Sequence, residues 1–301
     1  MFTPDTATHN MRPYMNFARG HESAVGGRGE VSRTRALLRV VALAVASLAA
    51  MTPAGAVRAQ DAARAVVPTT STRASVPFGA GERLEYDVKF GFVKVGSGHM
   101  EVVGTESIRG REAWRTRFIV SGGIPGYRVN DRLESWFDTS SLESLRFIQD
   151  LEEGRRDREY HYEIFPDRNV YQEKGKPEKP TVDNPLDDAS FLYYVRTMPL
   201  EVGKTYEIAR YFVPDRNPVT IKVLRKERVT VPAGTFETIV VQPTFKSKGL
   251  FSKDGRAEIW LSDDDRRLLV QMKSSLPIGS LNLFLRDVKV GSGTRTAKAE
   301  P

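Results

Sequence analysis

The amino-acid sequence predicts an all-β, mainly antiparallel fold with one short helix near residues 187–197. We expect a strongly curved sheet, a half-barrel or two packed sheets built from two similar halves. From residue 78 onward apolar and polar residues alternate with period two, which is typical of half-buried antiparallel strands. Turn sequences such as EEGR, VPAGT and KDGR separate these runs. A single segment changes from this alternation to helical spacing.

Residues 1–59 have the pattern of a secretory signal peptide preceded by an N-terminal extension. Three arginines precede an uncharged apolar run at residues 40–51, and small residues precede a predicted cleavage between Ala59 and Gln60. The run is shorter than the ~20 residues that a membrane-spanning helix needs. We therefore expect export to the periplasm, and a buried helix is the alternative interpretation of this run.

The rest of the chain divides into three parts. Residues 60–77 are small, polar and aperiodic, so we expect a disordered leader. Residues 78–290 should form a single all-β domain, with pseudo-repeats at about 81–180 and 203–290. Residues 291–301 are expected to be a disordered tail.

The strands are predicted from alternation along the chain. In the first of them, Leu84, Tyr86 and Val88 share one face, and charged residues occupy the other. The segment VGSG, residues 95–98, is interpreted as a turn or bulge. The predicted strands are 82–90, 113–122, 127–137, 158–165, 204–213, 219–230, 235–245, 255–262, 267–275 and 280–290.

The predicted helix lies between the two halves. Asp187 or Asp188 can cap its N-terminus, Leu192 and Val195 stand at helical spacing, and Pro199 ends the run. A lone helix beside a large antiparallel sheet commonly plugs an open end or covers a face.

The two halves resemble each other. A shift of 124 residues places Gly110 on Gly234 and Trp136 on Trp260 with the strand phase preserved. Upstream, the segment that begins at residue 81 matches the one that begins at residue 203. We interpret this as an internal duplication, although antiparallel meanders can also resemble one another by simple alternation.

Composition excludes several kinds of chemistry. The chain has 45 basic and 38 acidic residues, but they alternate along the strands and form no basic face, so nucleic-acid binding is disfavoured. The absence of cysteine excludes disulfides and cysteine-ligated metal. His99 and His161 have no second ligand at metal-site spacing. No nucleotide-binding or nucleophile-elbow motif occurs, and we expect no metal or cofactor.

Carboxylates are the remaining candidates for catalysis. Asp187 and Asp188 could form a general acid–base pair, but helix capping is the favoured explanation of both. With Glu134 or Glu258 they support an alternative hypothesis, an envelope hydrolase that acts on glycans through paired carboxylates.

Apolar side chains in polar surroundings suggest a binding rim. The loop SGGIPGYR and the loop KSKGLFSKDG each have an apolar tip, which suits contact with a membrane surface or an amphiphile. Ordinary hairpin loops are the alternative. The residues that we assign to this candidate rim are Ile124, Tyr127, Tyr193, Tyr194, Leu250 and Phe251.

Four segments resemble a known family. GERLEYDVKFGFVKVGSG, NPLDDASFLYYVRTMPLEVGKTY, VPAGTFETIVVQP and AEIWLSDDDRRLLVQMKSSLPIGSLNLFL are similar to exported bacterial proteins of the domain-of-unknown-function 3108 family, over about residues 78–290. The resemblance implies an exported, mostly periplasmic all-β protein without an established activity, and it transfers no catalytic residue. The family's architecture is similar to curved half-barrels that carry lipids or lipoproteins.

These observations favour a non-enzymatic protein of the periplasm that binds an apolar or amphiphilic envelope ligand or partner. A lipid, a lipoprotein or an envelope polymer is the expected partner. The alternatives are the glycan hydrolase and a purely structural assembly protein.

Overall fold

The computed structural model describes residues 64–65, 76–124, 126–246, 257–276 and 279–292. Within these ranges the chain forms one sheet of 15 strands and one α-helix. The first-half strands are β1 (Arg64–Ala65), β2 (Arg83–Phe90), β3 (Val93–Ile108), β4 (Arg111–Ile124), β5 (Tyr127–Asp138), β6 (Ser144–Glu153), β7 (Arg156–Phe165), β8 (Val170–Glu173) and β9 (Lys179–Pro180). The later elements are α1 (Asp188–Arg196), β10 (Thr205–Ile208), β11 (Val219–Val231), β12 (Gly234–Thr244), β13 (Glu258–Ser262), β14 (Leu269–Leu276) and β15 (Gly279–Lys289), and two 3₁₀ helices lie at Pro166–Arg168 and Pro214–Arg216.

The sheet is curved and antiparallel, which confirms the predicted fold class. Strands β10 to β15 follow one another across the sheet, β15 then pairs with β2, and β2 to β9 complete the order. The segment that follows β9 is joined to the segment that follows β10, because Leu186 and Tyr211 form a parallel bridge. The Leu186 amide donates to the Arg210 carbonyl, and the Leu186 carbonyl accepts from the Phe212 amide.

The two halves repeat the same backbone features. Gly81 and Gly203 precede β2 and β10 with φ angles of 83° and 86°. Their amides donate to the carbonyls of Val102 and Val223, and a register shift follows each of these valines. Such bulges lie at equivalent positions of β3 and β11, which supports the predicted twofold relation between the halves.

The two tryptophans at the predicted repeat occupy similar surroundings on the outer face. Trp136 donates its indole hydrogen to Glu106, and Trp260 donates its own to Glu227, two strands away in each case. An arginine guanidinium lies over each ring, at 5.2 and 5.8 Å from its centroid. Each strand also shifts register directly after its tryptophan.

Helix α1 fills the interior that the sheet encloses. Asp187 caps it, accepting from the amides of Ala189 and Ser190, and the Ser190 hydroxyl accepts from the Asp187 amide. This capping box and the end at Arg196 confirm the predicted helix to within one residue at each end. Seven of its nine residues are buried, so the helix plugs the sheet and does not cover its surface.

A buried ion pair anchors the helix to the sheet. Arg196 donates two hydrogen bonds to Glu82, of 2.6 and 2.9 Å, and both side chains are almost inaccessible to solvent. The guanidinium also donates to the carbonyls of Pro77 and Arg266. It lies 5.4 Å from the ring centroid of Phe78, so the charge is enclosed on several sides.

Two local predictions need correction, and a third is resolved between its two alternatives. Within the leader predicted to be disordered, Arg64–Ala65 pairs in parallel with β10. Strand β10 ends at Ile208, because the following residues turn away to bond with Leu186. The segment 95–98, predicted to be a turn or bulge, lies inside β3, where a register shift against β2 marks a bulge.

Two of the glycines in this region permit unusually close strands. A Cβ added at Gly122 would lie 2.4 Å from the carbonyl oxygen of Val95, and one at Gly96 would lie 2.3 Å from that of Ser121. Real Cβ contacts are essentially never this short, so β3 and β4 approach each other here only because both positions lack side chains.

Candidate functional site

A cavity of about 580 Å³ opens on the inner side of β6 to β9. It is closed on the far side by the segment that follows β10 and by the first residue of α1. Its volume is in the range of small-molecule sites, roughly 300–1,000 Å³. Six aromatic side chains line it, namely Phe147, Tyr160, Tyr162, Tyr171, Tyr211 and Phe212.

One wall of the cavity is a row of three nearly parallel rings. Tyr160 and Tyr162 lie two residues apart on β7, so alternation places both on the same face. Their ring centroids are 6.4 Å apart with planes inclined by 5°. Phe147 is the cross-strand partner of Tyr162 on β6, at 6.2 Å and 15°.

A second group of rings adjoins this row and packs edge to face against it. The ring centroid of Phe212 lies 5.2 Å from those of Tyr162 and Tyr171, at 60° and 85°. The Thr181 hydroxyl donates a 2.6 Å hydrogen bond to the Phe212 carbonyl and holds this segment in place. The rings are therefore positioned by rigid strands and by a tethered loop, so the cavity is preformed.

The polar group of the cavity is centred on Asp188. One carboxylate oxygen accepts from the Tyr211 hydroxyl at 3.0 Å, and the other accepts from the Gln149 amide at 3.3 Å. Arg216 donates to the same Tyr211 hydroxyl at 2.8 Å. Burial raises the pKa of Asp188 to about 7, although the nearby Arg216 charge opposes the increase.

Charged side chains surround the cavity's exposed edge. Glu173 forms a 2.5 Å ion pair with Lys176, and both line the cavity together with Lys179 and Asp215. The two lysines are exposed to solvent. An aromatic interior with a charged edge suits a molecule that has an apolar part and a polar part.

The structure separates the four carboxylates that the alternative hydrolase hypothesis considered. Asp187 is fully buried as the helix cap and also accepts from the Ser135 hydroxyl at 2.6 Å. Glu134 and Glu258 form ion pairs with arginines on the outer face of the sheet. Of these four, Asp188 alone lines the cavity, so the pair Asp187–Asp188 does not act on one site.

The structure places two of the six predicted rim residues in the core. Tyr193 is buried in the core, with its ring centroid 4.9 Å from that of Phe78, and Tyr194 is only 9 % exposed. Both assignments to an exposed rim are therefore wrong, because the helix faces inward on these sides. Ile124 and Tyr127 pair with each other at the end of the β4–β5 hairpin. Leu250 and Phe251 lie outside the described residues.

Most of the cavity's residues were missed by sequence reasoning. The alternation that places Tyr160 and Tyr162 on one face was visible, but aromatic residues on one face of a strand more commonly belong to a core. Phe212 and Arg216 come from a segment without periodicity, so nothing in the sequence associates them with β7.

Two structural findings concern metals and membranes. In the described ranges, no group of three or more His, Asp or Glu side chains is placed to hold a metal ion. His161 bonds to Glu163, 3.1 Å away, and His99 is half-buried in β3. No helix in the same part of the chain has the length and apolar character needed to cross a membrane.

The fold and the site define an all-β protein whose curved sheet encloses a helix-plugged core and an aromatic cavity. The model of one family, described as protein of unknown function (DUF3108), matches residues 85–286. The chain belongs to this family, as its sequence motifs predicted. No curated protein matches it.

Three solved structures are similar in part. A β-barrel-like protein of the domain of unknown function DUF1849 from Brucella abortus has 10 % identity and a TM-score of 0.47, over 72 % of this chain and 99 % of its own. A proposed lipoprotein from Parabacteroides distasonis has 12 % identity and a TM-score of 0.34, over 72 % and 100 %. A proposed exported protein with a YmcC-like fold from Bacteroides fragilis has 12 % identity and a TM-score of 0.28, over 72 % and 100 %. At these TM-scores we draw no function from the similarities.

Proposed function

We propose that this protein is an exported periplasmic binding protein that holds an apolar or amphiphilic envelope ligand in the aromatic cavity without transforming it. The observation that carries the proposal is the cavity itself, in which six aromatic side chains lie beside a polar cluster at Asp188 and a charged edge. A purely structural protein has no need of such an opening. The signal-peptide pattern of residues 1–59 supports the exported location.

The chemistry of the cavity favours an amphiphile. The parallel rings of Tyr160, Tyr162 and Phe147 offer a continuous apolar surface for a ring or a chain. Asp188 and its neighbours, together with the charged edge, offer hydrogen bonds that would orient the polar part of a ligand.

Retention of a ligand tests the proposal. Protein purified gently from the cell envelope is examined by native mass spectrometry, and lauric acid and octyl glucoside are titrated as probes by calorimetry. The parent chain should retain an adduct or bind a probe. The double variant Tyr160→Ala, Tyr162→Ala should bind the probe at least tenfold more weakly, because each ring contributes over about 1 kcal/mol to the binding free energy. The matched control Phe236→Ala removes a ring that does not line the cavity. Equal binding by both variants, or neither adduct nor probe binding in the parent, would contradict the proposal.

A glycan hydrolase is the second candidate, and the raised pKa of Asp188 favours it. A carboxyl group that is half protonated near pH 7 can act as a general acid. Both of its oxygens, however, already accept hydrogen bonds from Tyr211 and Gln149. Turnover of envelope glycans that disappears in Asp188→Asn would favour the hydrolase. An adduct that persists in Asp188→Asn without any turnover would favour simple binding.

A further inference from the structure

The turn between β2 and β3 presents apolar side chains to solvent. Phe92 is fully exposed and Val93 is 66 % exposed. Gly91 precedes them with a φ angle of 57°, a conformation that suits glycine and allows the sharp reversal of the chain. Scattered exposed apolar residues are common, but a completely exposed phenylalanine beside a second apolar residue contributes nothing to the core.

A row of lysines crosses the outer face of the sheet next to this turn. Lys273, Asn282, Lys89 and Lys94 are successive register partners on β14, β15, β2 and β3. Register partners share a face, and neighbouring strands are ~4.8 Å apart, so the Cα atoms of the three lysines lie within about 15 Å of one another.

The charges of this row are only partly compensated. Lys94 forms a 2.7 Å ion pair with Asp87. The ammonium groups of Lys89 and Lys273 lie over the ring of Phe284, at 5.2 and 5.9 Å from its centroid. Glu258, which pairs with Lys273 across the strands, is itself bound by an arginine at 2.9 Å. The row therefore keeps a net positive charge on the sheet surface.

We propose that the β2–β3 hairpin docks the protein on an anionic phospholipid bilayer. Two to three residues separate the lysine row from Phe92, which at ~3.3 Å per residue corresponds to about 7–10 Å. Interfacial apolar groups enter a bilayer by ~5–10 Å below the headgroups. With Phe92 and Val93 at the acyl boundary, Lys89 and Lys94 lie at the depth of the lipid phosphates. This surface is separate from the aromatic cavity, and the proposal does not depend on a ligand there.

Vesicle sedimentation tests the apolar tip. The parent chain should sediment with vesicles of phosphatidylcholine and phosphatidylglycerol at 3:1, and at least tenfold less with phosphatidylcholine alone. Phe92→Ser should lower the partition coefficient by roughly 10-fold or more, the value of one buried aromatic side chain. The matched control Val290→Ser changes another exposed apolar residue, directly after β15 at the end far from the hairpin, and should leave binding unchanged. All variants are purified in the same processed form, so any contribution of the N-terminal apolar run is equal.

A charge-matched pair of variants tests the lysine row. Lys89→Gln with Lys273→Gln should weaken binding to the anionic vesicles by roughly 10-fold or more, since each interfacial lysine contributes about fivefold. Lys222→Gln with Lys289→Gln removes the same charge from exposed positions outside the row and should change binding less than twofold. The proposal is overturned if the parent does not bind anionic vesicles, if Phe92→Ser binds like the parent, or if both double variants lose affinity equally. The first of these outcomes would favour a protein partner for the hairpin.

Discussion

Removal of the Glu82 carboxylate should destabilise the fold strongly, because it leaves the guanidinium of Arg196 buried without its ion-pair partner. The two side chains are 3 % and 0 % exposed and are joined by hydrogen bonds of 2.6 and 2.9 Å. Uncoupling a buried ion pair in this way costs about 3–5 kcal/mol. For a domain of this size, Glu82→Ala should therefore lower the melting temperature by roughly 6–20 °C.

An exposed ion pair provides the matched control. Arg168 and Glu178 are also joined by two hydrogen bonds, of 3.2 and 2.9 Å, but their side chains are 54 % and 41 % exposed. Glu178→Ala should cost no more than about 1 kcal/mol, because water and salt screen the pair. Unfolding in urea, followed by circular dichroism, gives both free energies of unfolding.

A double variant separates charge burial from packing. Glu82→Leu combined with Arg196→Met leaves no charge in the interior, so it should cost at least about 2 kcal/mol less than the sum of the single changes. Two results would refute this reasoning: a loss below about 1 kcal/mol for Glu82→Ala, or additivity of the two single changes.

Three further predictions concern pH and close packing. The pKa of Asp188 is raised from 3.8 to about 7, so the free energy of unfolding should fall as pH rises from about 4 to 7. The loss should reach about 4 kcal/mol at pH 8, and Asp188→Asn should remove it. Urea unfolding measured across pH checks this expectation. Burial of Asp138 opposes ionisation, but hydrogen bonds from Ser140 and Ser141 outweigh it and lower its pKa to about 2. This carboxylate stabilises the fold above about pH 4, and its contribution is lost as pH falls to 2. Asp138→Asn should therefore lower the free energy of unfolding by about 2 kcal/mol at pH 7 and by almost nothing at pH 2. Acid titrations of stability measure this difference. Gly122→Ala should lower the free energy of unfolding by ~1–3 kcal/mol in the same urea assay, because its Cβ would lie 2.4 Å from the Val95 carbonyl oxygen. An unchanged free energy of unfolding would mean that β3 and β4 can separate at no cost.

Strand positions could be predicted well because alternation is a local property of the chain. In β2 the residues Leu84, Tyr86 and Val88 are buried and the residues between them are less so, as the pattern predicted. The bounds of the helix were equally local, since the Asp187 cap and the later Pro199 lie within its own neighbourhood. The similar surroundings of the two tryptophans were also anticipated from the repeat.

The order of the strands could not be predicted in the same way. The pairing of β15 with β2 joins residues almost 200 positions apart, and no short pattern in either strand specifies the other. The bridge between Leu186 and Tyr211, which joins the segments that follow β9 and β10, lies in segments without periodicity. Such contacts depend on the shape of the whole folded chain.

The sequence by itself determined where strands, turns and the helix lie, because alternation, capping and turn chemistry act between residues close in the chain. Only the tertiary structure decided which side chains form the cavity. Asp187 and Asp188 show the difference: Asp187 is the N-cap with an extended backbone, whereas Asp188 is the first helical residue, so the two side chains leave the backbone in different directions. One carboxylate therefore turns inward to cap the helix, and the other turns toward Tyr211 and the aromatic wall. Which of them faces a site depends on where β6 to β8 lie, and those strands reach that place only through the folding of the entire sheet.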